Sequence, residues 1–134
     1  MNQPFMAISR RTRSTPFTQR VKAAGVRGYS VYNRMLIPTG FRDSLADDYW
    51  HLRKFVQVWD VSCERQVQLK GTDALKLTQM MTPRNLSKIK PGKGVYAPII
   101  NQDGGMLNDP IILQVEEECF WLSIADSDLL LWAK

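Results

Sequence analysis

The sequence is poor in the residues that build metal centres and disulfide scaffolds. It has one histidine, His51, and two cysteines, Cys63 and Cys119. Two cysteines so far apart in the chain form neither a zinc-spaced cluster nor a disulfide framework. A Ser-His-Asp triad would have to use His51, which we expect on the surface of a helix. We therefore expect no metal site, and two reduced thiols in a cytoplasmic protein.

Long apolar runs and phosphate-binding loops are also absent. No uninterrupted apolar stretch is long enough to span a bilayer, and the basic N-terminus lacks the apolar core of a secretory signal. An Arg/Ser-rich transit segment stays open. The glycines lack the lysine pattern and following helix of a phosphate loop. The hydrophobic fraction of 44% is ordinary for a globular protein. Since no apolar run could span a bilayer, we expect no membrane partner.

Acidic residues are missing before Asp43, in a segment rich in basic ones. The basic residues before Met35 are Arg10, Arg11, Arg13, Arg20, Lys22, Arg27 and Arg34. A basic arm can bind nucleic acid, but this one lacks interleaved aromatics, a helix-turn-helix pattern and zinc ligands. We expect residues 1–43 to form an N-terminal basic arm, solvated or acting as a rim that attracts an anionic small molecule, with no nucleic-acid partner.

The pattern after residue 43 predicts helices interleaved with antiparallel strands. Apolar residues at helical spacing predict a helix over 45–57, capped by Ser44 with Asp47 three residues on. Further predicted elements are a β region from Trp59 with a strand over 66–70, a helix capped by Thr72 and ended by Pro83, a hairpin over 94–113, a strand over 119–124 and a helix from Leu129. Strands joined by hairpins and flanked by helices give an α+β class with a mainly antiparallel sheet.

One carboxylate stands inside an otherwise apolar predicted strand, just past a double-glycine turn: Asp109 in GVYAPIINQDGGMLNDPIIL. Burying an acid there is costly without a partner, so Asp109 is a candidate site residue. Tyr96 and Ser123 lie on neighbouring predicted strands, and Trp121 and Tyr32 are candidate wall residues. Structural roles stay open for three of them. Asp109 could be a turn aspartate bonded to backbone amides, Tyr96 a core residue and Ser123 an outward-facing strand residue.

Three stretches together resemble the folate-binding domain of the glycine-cleavage T-protein, or aminomethyltransferase, family. They are VWDVSCERQVQLKGTDA, LTQMMTPRNLSKIKPGKGVYAPIINQDGGMLNDPIIL and FWLSIADSD. They match, in order, the family's aromatic-Asp-Val-Ser strand, Gly-x-Asp-Ala helix start, Lys-x-Gly before a Tyr strand, and Asn-x-x-Gly-Gly turn. The resemblance implies a T-protein-like folate-binding domain, of which residues 44–134 are the N-terminal part.

Two departures from the family pattern favour one of its branches. Cys63-Glu64 stand where the family has His-Met, and Asn108-Asp109 stand where it has two aspartates. At these positions and in the arm, the sequence resembles the tetrahydrofolate-dependent dimethylsulfoniopropionate demethylases. That branch implies an enzyme, a methyltransferase that moves a sulfonium methyl group to tetrahydrofolate and leaves methylmercaptopropionate.

The resemblance also implies roles for individual residues. Asp109 would be catalytic and a folate contact, Tyr96 and Ser123 further folate contacts, and Tyr32 a contact of the small-molecule substrate. A homodimer of the full-length protein stays open. So do three other functions: an aminomethyltransferase, a folate-dependent demethylase of another methylated amine, and a non-catalytic folate-binding module.

Overall fold

The computed structural model describes residues 9–42 and 44–134, which form two compact units. Unit 1 comprises the described residues up to Cys63, and unit 2 is Glu64–Lys134. The first eight residues of the predicted arm lie outside the described residues. The predicted boundary at residue 43 stays a prediction.

Unit 1 contains a β-hairpin between two helices. The elements are α1 Thr18–Ala23, β1 Gly28–Tyr32, β2 Met35–Gly40 and α2 Leu45–Lys54, with β1 and β2 antiparallel. The hairpin turns through Asn33 and Arg34, whose φ angles of 49° and 63° are both positive. This is the turn geometry that suits the twist of a two-residue hairpin. The sequence pattern did not predict α1, which has only six residues, or this turn, which has no glycine.

Helix α2 begins where predicted but ends early. The backbone N–H of Asp47 donates to Ser44 Oγ at 3.1 Å, which confirms Ser44 as the N-cap. The Asp47 carboxylate accepts from the Ser44 hydroxyl at 2.8 Å rather than from the Ser44 backbone N–H of a full capping box. The helix ends at Lys54 rather than at residue 57. None of its residues is buried, and Leu45 is 80% exposed. The spacing of apolar residues predicted the helix correctly. A stripe of apolar residues at that spacing usually faces a core, but within the described residues this stripe is not buried.

Unit 2 is built on a four-stranded antiparallel sheet with strand order β3–β8–β7–β4. Its elements are β3 Arg65–Lys70, α3 Ala74–Met81, β4 Lys93–Tyr96, β5 Ile99–Ile100, β6 Met106–Asn108, β7 Ile111–Glu116, β8 Cys119–Ile124 and α4 Leu129–Trp132. Strands β5 and β6 form a separate antiparallel pair. The fold is therefore α+β with a mainly antiparallel sheet, as predicted.

Two further local predictions are wrong, one in unit 1 and one in unit 2. Residues 59–62 are irregular and do not begin a β region. Helix α3 starts at Ala74 after Asp73, with no side-chain cap, so Thr72 does not cap it. A backbone bond from Ala74 N–H to the carbonyl of Gly71 closes that turn at 2.9 Å instead.

One face of the sheet forms the core of unit 2. A cross-strand row of Val67, Leu122, Ile112 and Val95 runs through all four strands. Leu122 and Ile112 are fully buried, and Leu129 of α4 belongs to the same cluster. Because side chains alternate along a strand, the residues between these positions face outward. We call that opposite side the outer face.

The predicted hairpin over 94–113 is divided by a corner. Strand β4 pairs with β7, whereas β5 pairs with β6, and Pro98 and Pro110 stand where the pairing changes. The N–H of Ala97 donates to the carbonyl of Pro110 at 3.1 Å across the corner. Asp109 therefore lies in the corner between β6 and β7, half-buried, and not inside a strand as predicted. Proline at such a break is expected, because it cannot donate to a ladder.

Candidate functional site

Tyr96 and Asp109 meet at the edge of the sheet. Tyr96 is the last residue of β4, and its phenol donates to Asp109 Oδ2 at 3.0 Å. Within the described residues, no backbone N–H donates to this carboxylate, which argues against the turn-aspartate role. The hydrogen bond to Asp109 is the main cause that raises the pKa of Tyr96, followed by desolvation and the carboxylate charge. The pair thus keeps the phenol protonated and aimed at the carboxylate.

Ser123 lies on the same outer face as Tyr96, two strands away. Tyr96 is the cross-strand partner of Ile111, Ile111 of Ser123, and Ser123 of Gln66. Cross-strand partners share one face, and neighbouring strands are about 4.8 Å apart. The backbones of Tyr96 and Ser123 are therefore about 10 Å apart. The structure places the predicted folate residues on one surface without bringing Ser123 into contact with the Tyr96–Asp109 pair.

Two glutamines of β3 hold the far end of this surface. Gln66 Nε2 donates to Ser123 Oγ at 3.0 Å, and the indole N–H of Trp121 donates to Gln68 Oε1 at 2.9 Å. The alternation in β3 did indicate that both glutamines face outward. Sequence reasoning did not connect them to Ser123 and Trp121, because those partners follow more than fifty residues later.

The outer face between these two ends is apolar and open. Ile111 is 41% exposed, Trp121 is 39% exposed, and Leu113 is half-buried. Leu113 occupies space that only a glycine at position 94 leaves, because a Cβ on Gly94 would lie 2.7 Å from Leu113 Cδ2. An apolar floor with hydrogen-bonding groups at both ends suits a flat heterocyclic ligand.

Asn108, beside Asp109, is engaged with a different part of unit 2. It is 5% exposed, and its Nδ2 donates to the carbonyl of Ala125 at 3.1 Å and to Ser127 Oγ at 2.7 Å. Its Oδ1 accepts from the N–H of Ala125, also at 3.1 Å. The two backbone partners define which amide atom is nitrogen and which is oxygen. All of these contacts are internal, so Asn108 is a structural residue rather than part of the open surface.

Tyr32 belongs to unit 1 and is half-buried at the end of β1. A cavity of about 820 Å³ in the same unit has apolar walls that include Val21 and Trp59. His51 lines it and is half-buried, with an Nδ1 atom that has no hydrogen-bond partner within the described residues. Tyr32 is not among its lining residues, so its predicted contact with substrate stays a prediction.

The described residues show neither a metal-ligand cluster nor a membrane span. No group of three His, Cys, Asp or Glu side chains among them is arranged to hold a metal ion. None of the helices in the described part of the chain combines the length and the apolar character needed to cross a bilayer. Cys63 and Cys119 are both buried thiols.

Known proteins resemble this chain in both sequence and fold. Residues 17–133 match the GCVT N-terminal domain. The chain is 52% identical over 122 residues to the dimethylsulfoniopropionate demethylase DmdA of Ruegeria pomeroyi, covering 91% of this chain and 33% of that protein. It is 30% identical over 119 residues to an aminomethyltransferase of Bacteroides fragilis, covering 87% of this chain and 32% of that protein.

A solved structure shows the same fold. It is the glycine cleavage system aminomethyltransferase T from Bartonella henselae, with a TM-score of 0.67 and 19% identity. The match covers 85% of this chain and 31% of the other. The chain spans about one third of the length of the curated relatives named above.

Proposed function

Because the chain belongs to the GCVT N-terminal domain family, we propose that it forms part of a tetrahydrofolate-dependent methyltransferase. The proposed reaction is the demethylation of dimethylsulfoniopropionate, in which a methyl group passes to tetrahydrofolate and methylmercaptopropionate is released. The 52% identity to DmdA, against 30% to the aminomethyltransferase, supports this choice of methyl donor. We place the reaction in the cytoplasm, where buried thiols such as Cys119 remain reduced.

The Tyr96–Asp109 pair at the end of an open apolar surface is the observation that carries this proposal. A tetrahydropterin has a planar pyrimidine ring fused to a puckered reduced ring, and it presents N–H groups at its edge. Asp109 offers a carboxylate acceptor for such a group, and Ile111 and Leu113 offer an apolar floor. We assign folate contacts to Tyr96 and Asp109 at one end and to Ser123 at the other.

The chemistry asks little of the protein beyond alignment. A methylsulfonium is already an activated methyl donor, so holding it in line with the accepting nitrogen supplies much of the rate enhancement. The S–CH₃ bond breaks with its electrons staying on sulfur, a new N–CH₃ bond forms, and the nitrogen loses a proton. Tetrahydrofolate, when bound, supplies that nitrogen.

Asp109 is the catalytic residue in this proposal. Its carboxylate orients the nitrogen region and accepts the proton that the nitrogen loses. The phenol of Tyr96 donates to Oδ2 at 3.0 Å, and no described residue donates to Oδ1, which is left for the ligand. Tyr32 is assigned to the substrate because a sulfonium cation is attracted to aromatic faces.

An aminomethyltransferase is the second candidate function. The shared fold and the 30% identity to the Bacteroides fragilis protein favour it over unrelated folate enzymes. A folate-binding module without activity is the third candidate, and retention of the acidic Asp109 argues against it. A homodimer of the complete protein stays a prediction.

Incubation of the intact protein with tetrahydrofolate and dimethylsulfoniopropionate tests the proposal. We expect methyl-tetrahydrofolate and methylmercaptopropionate in equal amounts. Parallel incubations with dimethylglycine and with glycine-cleavage intermediates serve as controls for the other donors. Turnover of those donors alone would assign the chain to the second function, and folate binding with no turnover of any donor would assign it to the third.

A further inference from the structure

Asp109 lies between two residues that anchor the corner. On one side, Asn108 makes three hydrogen bonds to the connection between β8 and α4. On the other side, the carbonyl of Pro110 accepts from the N–H of Ala97 at 3.1 Å. Proline also restricts the residue before it to extended backbone conformations, which limits the freedom of Asp109 itself. The position of the Asp109 backbone is therefore set by its neighbours.

The Asn108 amide provides the link between this corner and the rest of unit 2. The side chain bridges to Ala125 and Ser127, which follow β8, and is 5% exposed. Its backbone belongs to β6, where it is paired with the fully buried Ile99. Hydrogen bonds in such a partly buried network are costly to lose, because the groups left behind have little access to water.

We propose that Asn108 is a positioning residue for Asp109, holding the corner so that the carboxylate keeps its place against Tyr96 and the ligand. The inference rests on the proposed function, since it takes Asp109 as a folate contact. Asn108 itself does not touch the ligand, because its amide groups are used in the three internal bonds.

In this chain the network at position 108 uses both the donor and the acceptor of the amide. A carboxylate at position 108 has the same shape and still accepts from Ala125 N–H. It cannot donate to the Ala125 carbonyl, and an ionised oxygen there would face that carbonyl. We therefore expect Asn108→Asp to release the corner while changing almost no volume.

Tyrosine titration and folate binding test the proposal on the intact protein. Tyr96 titration is followed by NMR of ¹³C-labelled tyrosine, assigned with Tyr96→Phe, and tetrahydrofolate binding is followed by calorimetry. Asn108→Asp should lower the pKa of Tyr96 toward the value seen in Asp109→Asn and weaken folate binding about tenfold or more, the size of losing one charge-assisted hydrogen bond. Ser127→Ala removes one of the three bonds. It should lower the Tyr96 pKa and weaken folate binding by smaller amounts than Asn108→Asp does.

Asn101→Asp is the matched control, and it should change neither quantity. Asn101 lies in the turn between β5 and β6, and its Oδ1 only accepts, from the N–H groups of Asp103 and Gly105. If folded Asn108→Asp and Ser127→Ala keep the wild-type Tyr96 pKa and folate affinity and lose only melting temperature, the positioning role is refuted. If Asn108→Asp does not fold, Ser127→Ala decides by the same criterion. Absence of folate binding in the wild type would refute the proposed function, while the tyrosine titration would still decide whether Asn108 positions Asp109.

Discussion

The replacement of Asn108 by aspartate is expected to destabilise unit 2 without changing side-chain volume. One donated hydrogen bond is lost, to the Ala125 carbonyl, while the bond accepted from Ala125 N–H remains and a hydroxyl such as Ser127 Oγ is able to donate to a carboxylate. A hydrogen bond contributes about 1 kcal/mol net, and a buried acceptor left without a partner costs about 1–3 kcal/mol. The free energy of unfolding should therefore fall by about 2–4 kcal/mol, a decrease of roughly 10 °C in melting temperature for a chain of this size.

Urea and thermal denaturation at pH 7 provide the measurement. The control is Asn101→Asp, the same substitution in the same segment of chain, where the side chain only accepts hydrogen bonds. We expect that control to stay within about 0.5 kcal/mol of the wild type.

The pH dependence of the Asn108→Asp variant gives a second check. The new carboxyl can donate to the Ala125 carbonyl only when protonated, so its pKa in the folded state should be raised. With the folded pKa above the unfolded one, the folded state binds more protons, and stability increases as the pH falls toward about 4. The deficit relative to wild type should shrink over that range. Equal stability of wild type and Asn108→Asp at pH 7, or an equal loss in Asn101→Asp, would refute the reasoning.

Three further predictions concern catalysis, the outer face and acid stability. Asp109→Asn should lower turnover of the proposed reaction by about 10²-fold or more with little change in melting temperature, and an equal loss of stability with activity kept in the folded fraction would contradict it. Gly94→Ala should displace the end of the Leu113 side chain and weaken folate binding, as measured by calorimetry, while denaturation should show a stability change of about 1 kcal/mol or less, because a terminal methyl group can move and alanine suits a strand better than glycine. Burial alone would raise the pKa of Asp60, but hydrogen bonds from the Thr15 hydroxyl and from Ser62 lower it. Because the folded pKa is the lower one, this carboxylate stabilises above the unfolded pKa of about 3.9 and loses that effect as the pH falls through the folded value, so Asp60→Asn should flatten the acid loss of stability in urea titrations between pH 5 and pH 2.

Local sequence patterns were sufficient for two strands of the central sheet, β3 and β8. Alternation over 66–70 predicted β3 and the side chains that face the core, because side-chain direction in a strand follows from position alone. A strand over 119–124 was also predicted, and it is β8. Ser44 likewise predicted the start of α2, since a helix N-cap involves only neighbouring residues. The turn at Asn33–Arg34 could not be predicted this way, because non-glycine residues adopt positive φ only when the surrounding hairpin favours it.

For the candidate site too, the sequence identified individual residues and the tertiary structure decided how they are arranged. The sequence by itself identified Asp109, Tyr96 and Ser123 as residues of interest and indicated the family. Only the tertiary structure decided that Tyr96 donates to Asp109 and that Ser123 lies on the same face as Tyr96, two strands away. It also decided that the Asn108 side chain makes internal hydrogen bonds instead of facing the open surface. These relations depend on strand register and on the corner between β6 and β7. Register results from packing summed over the whole sheet, which no single stretch of sequence contains.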